Sequence, residues 1–383
     1  MIAFNRQLLE NTFLVDSAEE LYDAKFISKD QLKAAKEKFP ALKTHNNLFI
    51  RIAFFLLGCF CYSSASGTVA LVCSPLMDQY QIILFLLAAL GIFATESLAR
   101  HHYYAHGLDD SAILGMQICI VGAFGVTFES IPVALTIATV ISALSAIRYL
   151  HTISVVICTG SIVGLIANLV IEYQVIPELY LTFVLFILAI GLFVVHRKLS
   201  KTEQARFYAN PLRAMQLCSL LVGYFSVNYL VVRELAQDLM QIEVTEDKDI
   251  PLAFVFYFLT FAIPIAYLIC SIKEKNRLML WTGLFTLGFS IFTIRYYYHI
   301  MPPEWALLFG GILLSAVSLV LIRKLKHRET GITFEKDRMH PSQALSLAQT
   351  VIVNSHAIPN VPSKGPMEFG GGGFSGGGAG ENY

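Results

Sequence analysis

The sequence predicts an all-α fold, a polytopic helical membrane protein with about ten transmembrane helices. Three observations point there. Ten separate apolar runs occupy the 383-residue chain, and each approaches the length a bilayer crossing needs. The runs are apolar on every side, where barrel strands would alternate apolar and polar positions over about 10 residues. Lysine and arginine collect in every second loop between the runs.

A crossing takes about 20 residues, because a helix rises roughly 1.5 Å per residue through roughly 30 Å of hydrocarbon. The qualifying runs are residues 48–73, 82–98, 111–128, 131–146, 150–171, 179–195, 214–232, 250–271, 278–294 and 305–322. The fourth and fifth meet at Arg148 and also read as one long broken helix. Residues 1–47 form a cytoplasmic helical hairpin in this division, 48–322 the membrane domain, and 323–383 a basic stretch followed by a disordered tail.

Orientation follows from charge. The leading segment holds Arg6, Lys25, Lys29, Lys33, Lys36, Lys38 and Lys43. Loops of the same parity hold Arg100, Arg148, Arg197, Lys198, Lys201, Arg206, Arg213, Lys273, Lys275 and Arg277, and Arg323 to Arg328 follow the last run. The opposite loops have only Arg233, Lys248 and Arg295. Positive flanks stay in the cytoplasm, so both termini are expected there. The formal net charge is zero, with 28 basic and 28 acidic residues, which gives no reason to invoke nucleic acid. No cleavable leader pattern opens the chain, and the first run is expected to direct insertion. The seven cysteines lie in or beside the runs and read as small packing residues. Asn-x-Ser/Thr is missing from the sequence, which favours a bacterial inner membrane.

Two capping boxes, Ser17 with Glu20 and Ser28 with Gln31, predict two short helices in the leading segment. Leu21, Ala24, Phe26 and Ile27 are expected to meet Leu32, Ala35 and Phe39, with Pro40 ending the second helix. So small a pair has to dock on the membrane-proximal surface or on a partner. The stretch from Glu19 through Leu21, Tyr22, Phe26, Ile27 and Ser28, then Gln31, Leu32 and the entry residue Arg51, resembles the start of bacterial membrane proteins labelled domain of unknown function 2157. That resemblance covers the first quarter of the chain and implies serial spans with no established activity. Here Lys25 and Phe26 replace the family's usual turn glycine. Beyond residue 329 the composition turns to His, Pro and Ser and ends in glycine runs around Phe369 and Phe374, too poor in apolar surface to fold. This ending is similar to the tails of TPM-domain membrane proteins. It reads as a flexible spacer or as a recognition tag.

Ionisable groups at membrane depth are costly, so they mark the candidate sites. The densest set is Glu96, Arg100, His101, His102, His106, Asp109 and Asp110 after the second run. On a continuing helix Glu96 pairs with Arg100, and His102 with His106 takes the i,i+4 spacing of a two-imidazole metal site. No HExxH or CxxC supplies the remaining ligands, so neither a metal nor another cofactor is expected. The other reading is an interfacial anchor, with Asp110 or Ser111 capping the third run. Arg148 and His151 share that side and either line an entrance with the first set or form a tight turn. The candidate substrate-binding residues are therefore Glu96, Arg100, His102, His106, Arg148 and His151. Arg295, Tyr296, Tyr297, Tyr298, His299, Glu304 and Trp305 compose an aromatic belt on the other side, and the acidic stretch from Glu234 to Asp249 reads as solvated.

Deeper polar residues are few. Asn168 and Asn228 are expected to hydrogen-bond between helices, Gly160 and Gly164 to form a close-packing face, and Pro264 to kink the eighth run. Three functions follow. An accessory or scaffold protein would act through its cytoplasmic ends on cytoplasmic or membrane partners. A ten-span secondary carrier would need a hydrated path to Glu96, Arg148 or Asn228. An intramembrane enzyme lacks a recognisable nucleophile elbow or paired aspartates, so no enzyme is expected.

Overall fold

The computed structural model describes residues 2–23, 26–45, 47–177, 180–240, 250–298 and 303–325, and every regular element among them is helical. In order these are α1 (Arg6–Asp23), α2 (Lys29–Lys38), α3 (Leu48–Val72), α4 (Tyr80–Arg100), α5 (Leu108–Phe128), α6 (Ile131–Tyr149) and α7 (Thr152–Ile171). There follow α8 (Leu181–Leu199), α9 (Ala209–Phe225), α10 (Tyr229–Met240), α11 (Ala253–Glu274), α12 (Arg277–Tyr298) and α13 (Pro303–Leu325). The tail after residue 325 and the turn expected at 24–25 lie outside the described residues.

Among the described residues, eight helices are long and apolar enough to cross a membrane, namely α3 to α8, α11 and α12. A ninth joins them if the bent pair α9–α10 counts as one span. Helix α13 covers the tenth expected run. The outer surface of the bundle is apolar: Phe60, Phe93, Ile118, Ile187, Phe254 and Trp281 are all exposed. A continuous mantle of this kind in water would aggregate, whereas lipid solvates it.

The helices pack as antiparallel hairpins, α4 on α5, α6 on α7, α8 on α9 and α11 on α12. Helix α3 lies on α5, and α7 against α9 joins the two halves. Close approach is set by Gly91 and Gly115, where an added Cβ would come within 2.8 Å of Met116 Cα and Tyr62 Cε1 respectively. The glycine face expected at Gly160 and Gly164 is not used so: nothing lies within 4 Å of a Cβ at Gly160, and only Leu135 at 3.5 Å near Gly164. Asn168 likewise leaves its Oδ1 without a partner.

The seventh run is not one straight helix. It breaks after Phe225, and α10 leaves α9 at 65°. The cause is Asn228, whose Oδ1 accepts the amides of Leu230 (3.1 Å) and Val231 (3.3 Å) and so opens a new helix. Pro264, where the sequence predicts a kink, lies inside α11, which runs unbroken from Ala253 to Glu274.

The leading segment is part of the bundle. Its first helix starts at Arg6, so Ser17 is interior to α1 and bonds the Phe13 carbonyl at 2.8 Å instead of capping. The box at Ser28 and Gln31 is present and opens α2. Phe26 is 79% exposed, so the expected apolar contact across the hairpin does not include it. The burial lies elsewhere, where Phe4, Leu9 and Leu42 join Tyr149, Leu150 and Phe207 in one core. Each large side chain so buried contributes about 1.5–3 kcal/mol.

Candidate functional site

The end of the bundle beneath α1 gathers Arg51, Glu96, His106, Asp109, Asp110, Arg148 and His151. Helix α4 ends at Arg100, and residues 101–107 turn through positive φ at His102 (67°), Ala105 (49°) and Gly107 (106°). That turn removes the helical spacing assumed for His102 and His106. His102 is exposed and gives its carbonyl to the Lys43 amide at 2.8 Å, beside a parallel bridge between Lys43 and Tyr103. His106 turns inward, with ring centroids 4.3 Å from His45, 4.4 Å from Phe54 and 5.0 Å from Tyr103. Burial, reinforced by His45 and Lys43, pushes its imidazole below the usual range. Burial pushes the neighbouring Tyr104 phenol up to about 12. Among the described residues no three metal-ligating side chains converge.

Gly107 has to be glycine. Its φ of 106° is left-handed, and a Cβ there would meet the Arg51 carbonyl at 2.3 Å. The turn lets Asp109 Oδ1 accept the amides of His106 and Gly107, both at 3.0 Å. Asp109 therefore holds the turn that leads into α5, and the helix start carries no side-chain cap of the kind expected from Asp110 or Ser111.

Asp110 instead receives Arg51 through two hydrogen bonds, from Nε at 2.7 Å and from the guanidinium at 2.9 Å. On its other side His151 Nε2 stands 3.3 Å from Asp110 Oδ1, without good hydrogen-bond alignment. His151 Nδ1 accepts the Ser154 amide at 3.3 Å and lies 2.7 Å from Ser154 Oγ, so it caps α7. Gln117 Nε2 donates to the same Oγ at 2.6 Å. A chain of polar groups thus runs from Arg51 into the bundle, ending at Gln117 Oε1, which has no partner.

Ser154, His151 and Asp110 together have the composition of an acyl-transfer triad. Their geometry serves another purpose. Ser154 is fully buried, and the imidazole nitrogen facing Oγ also takes the Ser154 amide. A nucleophile needs an approach for its substrate. Here the group secures the first turn of α7.

Glu96 does not pair with Arg100, which is exposed at the helix end. It takes Arg148 from α6 in two hydrogen bonds of 2.7 and 2.9 Å, and accepts the Tyr149 hydroxyl at 2.5 Å. The Arg148 carbonyl accepts the Ala3 amide at 2.9 Å. Arg148 and His151 therefore face separate partners and line no shared entrance; Leu150, at φ 56°, forms the turn between them. Glu10 binds Arg206 at 2.6 Å, which ties α1 to the connection before α9.

A second polar centre surrounds the break between α9 and α10. Asn228 Nδ2 donates to Tyr224 Oη at 2.8 Å, Tyr224 Oη lies 2.7 Å from Ser290 Oγ, and Ser290 Oγ donates to the Thr260 carbonyl at 2.6 Å. That carbonyl is the one Pro264 leaves without an amide. Thr282, Thr286, Ser290 and Thr293 form the buried stripe of α12. Their 4-4-3 spacing was the sequence signal for this centre. Tyr297 belongs to it rather than to a lipid-facing belt, since it carries Arg233 over its ring at 4.3 Å and donates to Glu234 Oε1 at 2.6 Å. Glu234 is accordingly not simply solvated, whereas Tyr296 and Trp305 are exposed as a belt requires. His299 lies outside the described residues.

No protein-family model, curated protein or solved structure matches this chain.

Proposed function

We propose that this multi-pass helical membrane protein is an accessory or scaffold protein, with ten spans and both ends in the cytoplasm, that presents its leading segment as a platform for a protein partner. The observation carrying this reading is the docking of α1 on the bundle. Ala3 and Leu9 are bonded to or packed on the membrane helices, and Glu10 and Lys43 bond the connections before α9 and after α4, while α2 buries none of its residues. The candidate residues Glu96, Arg148 and His151 face other side chains of this chain. That inward pairing suits a rigid support better than a substrate site. The basic ends of α4, α6, α8 and α11 share the face of α1, which supports a cytoplasmic placement. Membership of the group labelled domain of unknown function 2157 is compatible with this arrangement.

The test is a photo-crosslinking amino acid placed at Phe26 or Lys33 on the free face, with Phe49 on the lipid-facing side of α3 as control. The proposal expects a discrete protein adduct from positions 26 and 33 in native membranes, and none from 49. No adduct from either position 26 or position 33 removes it.

A ten-span carrier is the second reading, favoured by one observation, the 65° break between α9 and α10. Broken helices build binding sites in carriers. Against it, Asn228 at that break is fully buried and its amide is engaged on both sides. A carrier requires Asn228 to become water-accessible in one state, which cysteine labelling at position 228 detects.

A further inference from the structure

Helices α6, α7, α8 and α9 surround a cavity of about 400 Å³, toward the lower end of the roughly 300–1,000 Å³ of small-molecule sites. Val155 and Ile162 line it from α7, and Leu192 and Leu199 from α8. Each pair is two helical turns apart, so each lies on one helix face and together they define a slot about 10 Å long. Met215 of α9 lines the same space. The lining residues Ile147 of α6 and Leu199 of α8 are exposed on the outer surface, so the slot opens toward lipid between those two helices.

Among the described residues, no charged side chain lines this cavity. Most of its polar groups are bonded within the chain. Thr159 Oγ1 donates to the Val155 carbonyl at 3.0 Å, Cys158 Sγ to the Thr139 carbonyl at 3.6 Å, Tyr208 Oη to the Ile147 carbonyl at 3.0 Å, and Thr202 Oγ1 to the Leu199 carbonyl at 2.7 Å. Gln204 differs. It lines the cavity from the connection between α8 and α9, is exposed, and its side-chain amide bonds to nothing among the described residues.

These features select an occupant. The apolar walls match hydrocarbon, and the volume leaves room for one chain. An ionised end drawn into the slot would lose water without meeting a counter-charge, whereas a neutral hydroxyl or ester keeps a hydrogen bond at the Gln204 amide. We propose that this cavity binds an uncharged amphiphile with one hydrocarbon chain, the chain lying between α6 and α8 and the hydroxyl or carbonyl end on Gln204. The site rests on the membrane reading alone, and on neither the scaffold role nor the orientation.

Photolabelling of the full chain in phosphatidylcholine nanodiscs tests it, with a monoacylglycerol that carries a diazirine in its chain as the probe. Expected is saturable labelling of the peptides that contain Val155 to Ile162 and Met215. Excess 1-oleoylglycerol displaces it, and lysophosphatidylglycerol of the same chain displaces it several-fold less well. Labelling around the lipid-exposed Phe60 serves as the background, neither saturable nor displaced. Gln204→Ala, at an exposed position, weakens the probe about two- to tenfold, the loss of one hydrogen bond. Val155→Trp and Met215→Trp fill the cavity from different helices, and saturable labelling is lost in whichever of them keeps the wild-type Tm. Cavity labelling no more displaceable than that around Phe60 overturns the proposal, as does equal displacement by the charged competitor. Saturable labelling that survives in a folded cavity-filling variant overturns it too, and an unchanged affinity in Gln204→Ala overturns the placement of the polar end.

Discussion

Ser290 Oγ on α12 reaches the Thr260 carbonyl on α11 at 2.6 Å, supplying the donor that Pro264 removes from the helix. Away from water a bare carbonyl costs about 1–3 kcal/mol, so Ser290→Ala is expected to destabilise the bundle by that amount. Pro264→Ala restores the amide, and the double variant therefore costs less than the sum of the singles by roughly 1 kcal/mol. Unfolding by denaturing detergent measures all corners of the cycle. Additive costs would show that the hydroxyl does not serve that carbonyl.

The two bidentate ion pairs at the docked end differ in burial, and the difference predicts a ranking. Asp110 is buried and holds both Arg51 and His151, while the Glu96–Arg148 pair is more open to solvent. Asp110→Ala leaves the buried His151 and the partly exposed Arg51 without their acceptor and is expected to cost about 1–3 kcal/mol. Glu96→Gln, which keeps acceptor capacity, is expected to cost about 1 kcal/mol or less. Thermal unfolding in detergent gives the order. A larger loss at Glu96 contradicts it.

How far the sequence discloses this architecture depends on the distance over which each feature is encoded. The apolar runs, the box at Ser28 and Gln31, and the charge asymmetry are local, and helices occupy all ten runs. What was hidden depends on partners far away in the chain. Glu96 reads as an i,i+4 mate of Arg100 until α6 brings Arg148 to it. Asp110 reads as a helix cap until Arg51, 59 residues earlier, takes its carboxylate. The break at Asn228 was disguised because both sides of it are apolar. The hydroxyl stripe of α12 was legible, since its spacing is helical, but Ser and Thr in apolar runs commonly satisfy themselves through the preceding turn.

His106 makes stability depend on pH with a defined sign. Its imidazole faces His45, Lys43, Tyr103, Asp109 and Asp110, and its folded-state value lies below the ordinary 6.5. The unfolded chain therefore binds the proton first. Full stability is kept above about pH 6.5 and falls as pH drops through the depressed folded value. His106→Phe keeps a ring in the cluster and is expected to flatten the dependence of Tm on pH below about 6.5. An unchanged slope in that variant assigns the effect to another group.

Glycine substitutions separate close contacts from open surface. Gly107→Ala forces a side chain into left-handed backbone against the Arg51 carbonyl, and Gly91→Ala drives a Cβ to 2.8 Å from Met116 Cα. Each is expected to cost about 1–3 kcal/mol. Gly160→Ala, with nothing within 4 Å, is expected to be neutral or slightly stabilising in its helix. Tm in detergent decides, and a severe loss at Gly160 would contradict the packing of α7.

The central claim is a bundle across the bilayer with its docked leading helices on the cytoplasmic face. Single cysteines at Lys29 on α2 and at Gln174 beyond α7, in an otherwise cysteine-free chain, test it with a membrane-impermeant maleimide. The account predicts that position 174 labels in intact cells and position 29 only after lysis. Labelling of position 29 in intact cells, with 174 protected, contradicts it.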